Sequence, residues 1–143
     1  MLKKRIALVA HDNKKRDLVD WTRGHLASML KCEIYATGTT GRLLETELGL
    51  RVSCLHSGPL GGDQQIGALI AEGKIDSLIF FWDPLEPLPH DPDIKALLRL
   101  AVVWNIPFAC NSATADFLFS NDMFFAYERK VPNFKTYQDR KVG

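Results

Sequence analysis

The sequence predicts an α/β fold, in which a mostly parallel five-stranded sheet is covered by helices on both faces. Two observations carry this prediction. Five short apolar runs mostly lack the alternation of a half-exposed strand, which is typical of strands buried on both faces. Segments with helical spacing of apolar residues separate these runs, as right-handed crossovers between parallel strands require. A length of 143 residues predicts one domain, residues 1–143.

The elements follow one another in regular order. The five predicted strands are 5–10, 32–36, 51–55, 77–82 and 107–110. Glycines are predicted to end the helices that follow the second and third strands, at Gly49 and Gly73. The clearest helix start is the stretch HDPDIKALLRLAVVW, with Asp91 as N-cap and Pro92 as the first helical residue. From about Ser120 the pattern weakens, so residues 120–143 are predicted to form a C-terminal tail.

Composition excludes several classes of protein. The chain has 18 Lys and Arg against 17 Asp and Glu, a net charge of +1. We therefore do not expect electrostatic binding to nucleic acid or to a membrane surface. Its three cysteines are too few and too scattered for a disulfide framework or a zinc site. No apolar run reaches the length of a signal-peptide core or a membrane span. We therefore expect a cytoplasmic protein.

Polar clusters follow every predicted strand. They read AHD, TGTTG, HSGPLGGD, DPLEPLPHDPD and NSAT, in chain order. In open α/β sheets the carboxyl ends of the strands form the edge at which ligands bind. The sequence therefore predicts a ligand crevice at this edge.

Two of these loops have the composition of an anion site. Hydroxyls of Thr37, Thr39, Thr40 and Ser57 combine with glycines that leave amides accessible at helix N-termini, and Lys15 could add charge. The alternative is that Thr39 or Thr40 is simply an N-cap and the glycines are turn residues. Neither a Walker motif nor a dinucleotide fingerprint occurs.

The acids each have two interpretations, and His11 and His90 are either site residues or residues that only hydrogen-bond loop backbone. Asp63 is either a catalytic carboxylate or a helix cap, Asp93 either a site residue or a partner of the helix dipole, and Asp83 either a site residue or a turn former. A metal site can be drawn from His11, Asp12, His90 and Asp93, although their spacing matches no metal motif. Cys110 is either a nucleophile or a small buried apolar residue.

Five segments together resemble methylglyoxal synthase, in order and at matching spacing, from residue 6 to about 116. They are ALVAHDNKK, YATGTTG, SGPLGGDQQIGALIAEGKID, IFFWDPL and PHDPDIKALLRL. GPLGGDQQ and PHDPD are the most specific of these motifs. The chain departs from the family at Cys110, where relatives usually have threonine.

The resemblance implies a Rossmann-like, methylglyoxal synthase-like fold and a carbon–oxygen lyase that converts dihydroxyacetone phosphate to methylglyoxal and inorganic phosphate without metal or cofactor. It implies that Asp63 is the base, that His90 hydrogen-bonds the substrate oxygens and that Asp93 supports proton transfer. The residues that it implies for substrate and phosphate binding are His11, Lys15, Thr37, Gly38, Thr39, Thr40, Ser57 and Gly58. Asp12 and Asp83 match family acids of supporting role.

The resemblance also implies an allosteric homohexamer that phosphate inhibits. In its enterobacterial members a C-terminal arginine reaches a neighbouring subunit, and Arg140 is the candidate here, although an ungapped register puts Lys141 there instead. The alternative is that the C-terminal tail is solvated and frayed. Two other functions remain open. A regulatory domain of the same fold, as in carbamoyl-phosphate synthetase, would need the phosphate loops but not the acid–histidine pair. A metal-dependent hydrolase would be sensitive to chelators.

Overall fold

A β-sheet forms the centre of the fold. The computed structural model describes residues 3–87, 91–120 and 122–141. Its strands are β1 (Lys4–Ala10), β2 (Cys32–Thr37), β3 (Val52–Leu55), β4 (Ser77–Phe81) and β5 (Phe108–Ala109). They are arranged in the order β3-β2-β1-β4-β5, and every neighbouring pair is parallel. The predicted α/β class is confirmed, and each predicted strand end lies within one residue of the observed one.

Helices fill the connections between the strands. In chain order they are α1 (Lys15–Gly24), α2 (Leu26–Met29), α3 (Gly38–Leu48), α4 (Gly62–Ala71), α5 (Asp91–Val103), α6 (Ser112–Leu118), α7 (Met123–Ala126) and α8 (Lys135–Gln138). Short 3-10 helices at Asp12–Lys14 and Gly58–Leu60 precede α1 and α4. In the part of the chain that is described, no helix is long and apolar enough to cross a membrane.

Both faces of the sheet are buried, as the continuous apolar runs predict. In β1, Ile6 and Leu8 belong to one core, together with apolar residues of α1 and α3. Their neighbours Ala7 and Val9 belong to a second core on the opposite face, with apolar residues of α4 and α5. Successive strand residues point to opposite faces, so a strand that packs against helices on both sides shows no alternation in its sequence.

The helix ends largely follow their sequence signals. Gly49 ends α3 in the left-handed region at φ 67°, and Gly73, at φ 74°, follows the end of α4. Glycine adopts this conformation without the penalty of a Cβ atom. The expectation for Asp91 is wrong by one position: α5 begins at Asp91 itself, so the N-cap position lies outside the described residues.

The C-terminal segment packs against the rest of the fold. The Phe134 ring contacts Trp104 edge to face, with centroids 5.1 Å apart. Arg129 Nη1 donates a hydrogen bond to the Trp104 carbonyl at 2.6 Å, and Asn105 Nδ2 donates one to the Lys130 carbonyl at 2.9 Å. These contacts attach the segment to the C-terminal end of α5.

Candidate functional site

A cavity of about 220 Å³ lies at the carboxyl ends of β1 to β4. Four connections contribute to its walls. It is lined by eleven of the residues singled out from the sequence, namely His11, Asp12, Lys15, Thr37, Gly38, Thr39, Thr40, Ser57, Gly58, Asp63 and Asp83. The parallel sheet brings together loops that are far apart in the chain, and the predicted crevice is present.

The first turn of α3 forms one wall of this cavity. Thr37 occupies the N-cap position without a side-chain capping bond, so the alternative that Thr39 or Thr40 is the N-cap is wrong. Thr40 is fully buried, and its hydroxyl has no hydrogen-bond partner among the described residues. A buried polar group without a partner is costly. This hydroxyl and the first backbone N–H groups of α3, which have no partner within the helix, therefore suit a polar ligand.

The turn at α3 touches the loop that follows β3. Gly38 has φ 41°, and a Cβ atom there would lie 2.7 Å from Ser57 Cβ. Only glycine permits both this backbone conformation and so close an approach. The two loops therefore meet at Gly38 and Ser57 and form one cradle of amides and hydroxyls.

Lys15 connects this cradle to the loop that follows β1. Its ammonium group donates hydrogen bonds to Thr39 Oγ1 and, at 2.6 Å, to Asp12 Oδ1. The bond from Lys15 holds the pKa of the Asp12 carboxyl below its ordinary value. Lys15 is the first residue of α1, so its position is determined by the start of that helix. A cation thus lies beside the amides and hydroxyls that would receive an anion.

Asp63 lines the same cavity. The N-cap of α4 is Gly61, so the interpretation of Asp63 as a cap is wrong. It is the second residue of the helix, and only 4% of its surface is exposed. A Cβ atom on Gly58 would lie 3.4 Å and 3.5 Å from the two carboxylate oxygens of Asp63. The missing side chain at residue 58 therefore leaves space directly beside this carboxylate.

Gly62 serves packing and not ligand access. A Cβ atom on it would lie 1.9 Å from the carbonyl oxygen of His56 and 2.9 Å from Thr37 Cγ2. The first turn of α4 thus presses against backbone at the end of β3. The glycines of this loop have two roles: Gly58 opens the cavity beside Asp63, and Gly62 allows α4 to approach closely enough to place Asp63 there.

Substituting Gly62 by alanine should therefore damage both stability and activity. We expect the free energy of unfolding to fall by about 1–3 kcal/mol, because the backbone must shift to relieve the clash. Since that shift moves Asp63, we expect kcat to fall at least about tenfold. Gly24→Ala is the matched control, because nothing lies within 4 Å of a Cβ at Gly24. Denaturant unfolding and steady-state kinetics test this, and equal behaviour of the two variants would contradict it.

His11 is held in a defined orientation on the β1 side. The backbone N–H of Asp83 donates a hydrogen bond to His11 Nδ1 at 3.0 Å, and the ring packs edge to face on Phe80. A neutral imidazole that accepts at Nδ1 carries its hydrogen on Nε2. His11 can therefore donate a hydrogen bond through Nε2.

Asp83 is an ionised group of this wall. Asn13 donates a hydrogen bond to Asp83 Oδ2 at 3.1 Å, and the Leu85 N–H donates one to Oδ1 at 3.1 Å. These bonds stabilise the charged form, so the pKa of Asp83 lies below its ordinary value. Asp83 has thus more than the role of a turn former.

Of the other predicted residues, Asp93 and Cys110 do not line this cavity. His90 lies outside the described residues. Asp93 is in the first turn of α5 and lines a neighbouring groove between α4 and α5, which Asp63 also lines. Cys110 is half-buried and lines a different depression beside Trp82, and burial raises the pKa of its thiol. Its place favours a packing role over a nucleophile.

Sequence reasoning missed two polar residues of the cavity wall, Asn13 and Glu86. Both lie within polar stretches that the sequence marks, but no motif distinguishes them from their neighbours. No group of three or more His, Cys, Asp and Glu side chains within the described ranges is arranged to hold a metal ion. His11 and Asp93 line different cavities.

Comparison with known proteins points to one family. Residues 17–110 match the family described as the MGS-like domain. Methylglyoxal synthase of Hahella chejuensis is 61% identical over 137 residues, which cover 96% of this chain and 90% of that protein. Methylglyoxal synthase of Cellvibrio japonicus is 59% identical, over 97% and 91% of the two chains.

A solved structure agrees with these relatives. The crystal structure of methylglyoxal synthase from Elizabethkingia anophelis NUHP1 superposes with a TM-score of 0.91 at 52% sequence identity. The match covers 99% of this chain and 93% of that one. The chain belongs to the methylglyoxal synthase family.

Proposed function

We propose that this protein is a lyase that converts dihydroxyacetone phosphate to methylglyoxal and inorganic phosphate, with Asp63 as the base. One observation carries the assignment of the base. The buried Asp63 carboxylate and the cradle of amides and hydroxyls line the same small cavity. A small substrate that carries both an acidic C–H bond and a phosphate can reach both at once.

The first step is removal of a proton from the hydroxymethyl carbon of the substrate. Its C–H bond lies next to the carbonyl, so the resulting charge is spread onto oxygen as an ene-diolate. This step needs a carboxylate within about 3 Å of the proton and hydrogen-bond donors at the carbonyl oxygen. Asp63 is the proposed base, and His90 and the Nε2–H of His11 are the proposed donors.

The second step breaks the bond between carbon and the phosphate ester oxygen. The electrons of the ene-diolate form the new carbon–carbon double bond as phosphate leaves, which gives the enol of methylglyoxal. Protonation of its methylene carbon then yields the product. Negative charge grows on the departing phosphate, where Lys15 and the amides near Thr39 and Ser57 would stabilise it. Asp93 is proposed to assist the proton transfers from the groove beside Asp63.

A direct assay tests the proposed reaction. Purified protein is incubated with dihydroxyacetone phosphate, and methylglyoxal and inorganic phosphate are measured, with and without a chelator. We expect equal amounts of the two products and no effect of the chelator. Loss of activity with the chelator would favour the metal-dependent hydrolase. Binding of the substrate without turnover would favour a regulatory domain of the same fold.

We further propose that the protein is cytoplasmic and acts as a phosphate-inhibited homohexamer. All three cysteines are free thiols, which suits a reducing compartment. Inorganic phosphate is a product and would compete for the cradle. Arg140 lies at the surface with its guanidinium stacked 3.7 Å from the centre of the Tyr137 ring, and it does not line the cavity of its own chain. Its exposure is compatible with the proposed contact with another subunit.

Replacing Arg140 by alanine should weaken phosphate inhibition about tenfold, because an arginine–phosphate bond is charge-assisted. Lys141→Ala should leave the response unchanged and serves as the matched control. Rates at graded phosphate concentrations, combined with sedimentation velocity, measure inhibition and assembly together. A normal phosphate response in Arg140→Ala, or a loss confined to Lys141→Ala, would contradict the role of Arg140.

A further inference from the structure

The two ends of the cavity differ in chemistry. The sheet order β3-β2-β1-β4 places the exits of these strands in a row, spaced by about 4.8 Å. The loop that contains Thr39 and Thr40 follows β2, and the loop that contains Ser57, here called the serine loop, follows β3. Both loops offer amides and hydroxyls to a ligand. Asp83 and Glu86 follow β4, three strand positions from the serine loop. Among the described lining residues, Lys15 alone is a lysine or arginine, and its ammonium already contacts Asp12.

The end near β4 presents two carboxylates together. Asn13 Nδ2 donates hydrogen bonds to Asp83 Oδ2 and to Glu86 Oε2. An amide nitrogen has two hydrogens, so one side chain can hold both acids without neutralising either. Asn13, Asp83 and Glu86 all line the cavity; we call this group the acidic wall.

An acidic wall has a consequence for ligand choice. A ligand whose phosphate occupies the cradle extends its other end toward the remaining walls of the cavity. Hydroxyl groups there can donate hydrogen bonds to carboxylates. A second anionic group there meets like charges, which weakens binding.

We propose that Glu86, held in place by Asn13, is a specificity-determining residue. It admits phosphorylated ligands whose other end is neutral and hydroxylated, and it disfavours ligands with a second anionic group. The inference rests on the proposed function, because it assumes that the phosphate of the ligand occupies the cradle of the proposed reaction.

A matched pair of ligands tests the inference. Glycerol 3-phosphate and 3-phosphoglycerate differ mainly in that a hydroxymethyl group is replaced by a carboxylate. Competitive inhibition constants for both are measured on the wild type and on Glu86→Gln. We expect Glu86→Gln to bind 3-phosphoglycerate about 3- to 10-fold more tightly while glycerol 3-phosphate changes less than about twofold. The gain should shrink at high salt, because the wall is partly exposed to solvent.

Two control variants and the activity of the wild type show whether the effect comes from the charge of Glu86. Glu72→Gln, a neutralisation at an exposed residue paired with Lys74, should change neither constant. If Asn13 acts by holding Glu86, the single variant Asn13→Ala should discriminate less between the two ligands than the wild type does. Adding Asn13→Ala to Glu86→Gln should then have no further effect. Equal changes in the inhibition constants of both ligands, or no change in either, would overturn the inference. An active wild type would still support the proposed lyase activity in that case. A wild type without methylglyoxal production would instead overturn the proposed function and, with it, this inference.

Discussion

Asp63→Asn should lower kcat by about 10²- to 10⁴-fold while leaving the fold intact. Asparagine has nearly the same size and shape, so it fits the buried position beside Gly58. It cannot accept the proton from carbon, and loss of a general base costs a factor of this size. Steady-state kinetics on purified protein, with methylglyoxal as the measured product, give the ratio.

The control for this substitution is a carboxylate outside the cavity. Asp20 lies on α1 and pairs with Arg23, so Asp20→Asn should retain full activity. Phosphate binding, measured by calorimetry, should survive in Asp63→Asn, because the cradle does not require its carboxylate. If Asp63→Asn kept more than about a tenth of the wild-type kcat, the base would be another residue.

His90→Gln should lower kcat by about 10²- to 10³-fold. The proposed role of His90 is to donate a hydrogen bond to the carbonyl oxygen as negative charge develops there, and removing one such donor typically costs this much. His25→Gln is the control, because His25 pairs with Asp116 and does not line the cavity. Initial rates across substrate concentrations separate kcat from KM. A change in KM alone would make His90 an ordinary binding residue.

The sheet and the location of the site were predictable from the sequence for a simple physical reason. Strands buried on both faces carry continuous apolar runs, and the carboxyl ends of parallel strands share one edge. Any polar loop after such a strand, for example the loop with Thr39 or the loop with Ser57, is therefore directed to the same crevice. The sequence did not need to specify how the loops contact one another.

Contacts between distant loops could not be predicted. Asn13 and Glu86 are 73 residues apart, and nothing in either stretch marks them as partners. Gly62 looks like one more glycine of a bare ligand loop, yet its role is to let α4 press against the His56 carbonyl. The N-cap predicted at Asp91 and the caps considered as alternatives for α3 and α4 are also wrong, because a polar side chain near a helix start does not by itself determine which residue begins the helix. Such details depend on how the elements pack.

We propose that one cavity holds both the base and the phosphate cradle of the reaction. A crystal structure of Asp63→Asn with dihydroxyacetone phosphate tests it most directly, because the inactive variant should trap the unreacted substrate. We expect the phosphate against the amides and hydroxyls of Thr39, Thr40, Ser57 and Gly58, and the hydroxymethyl carbon about 3–3.5 Å from the side chain of residue 63. A substrate bound elsewhere, or one with its hydroxymethyl carbon beyond reach of residue 63, would contradict the claim.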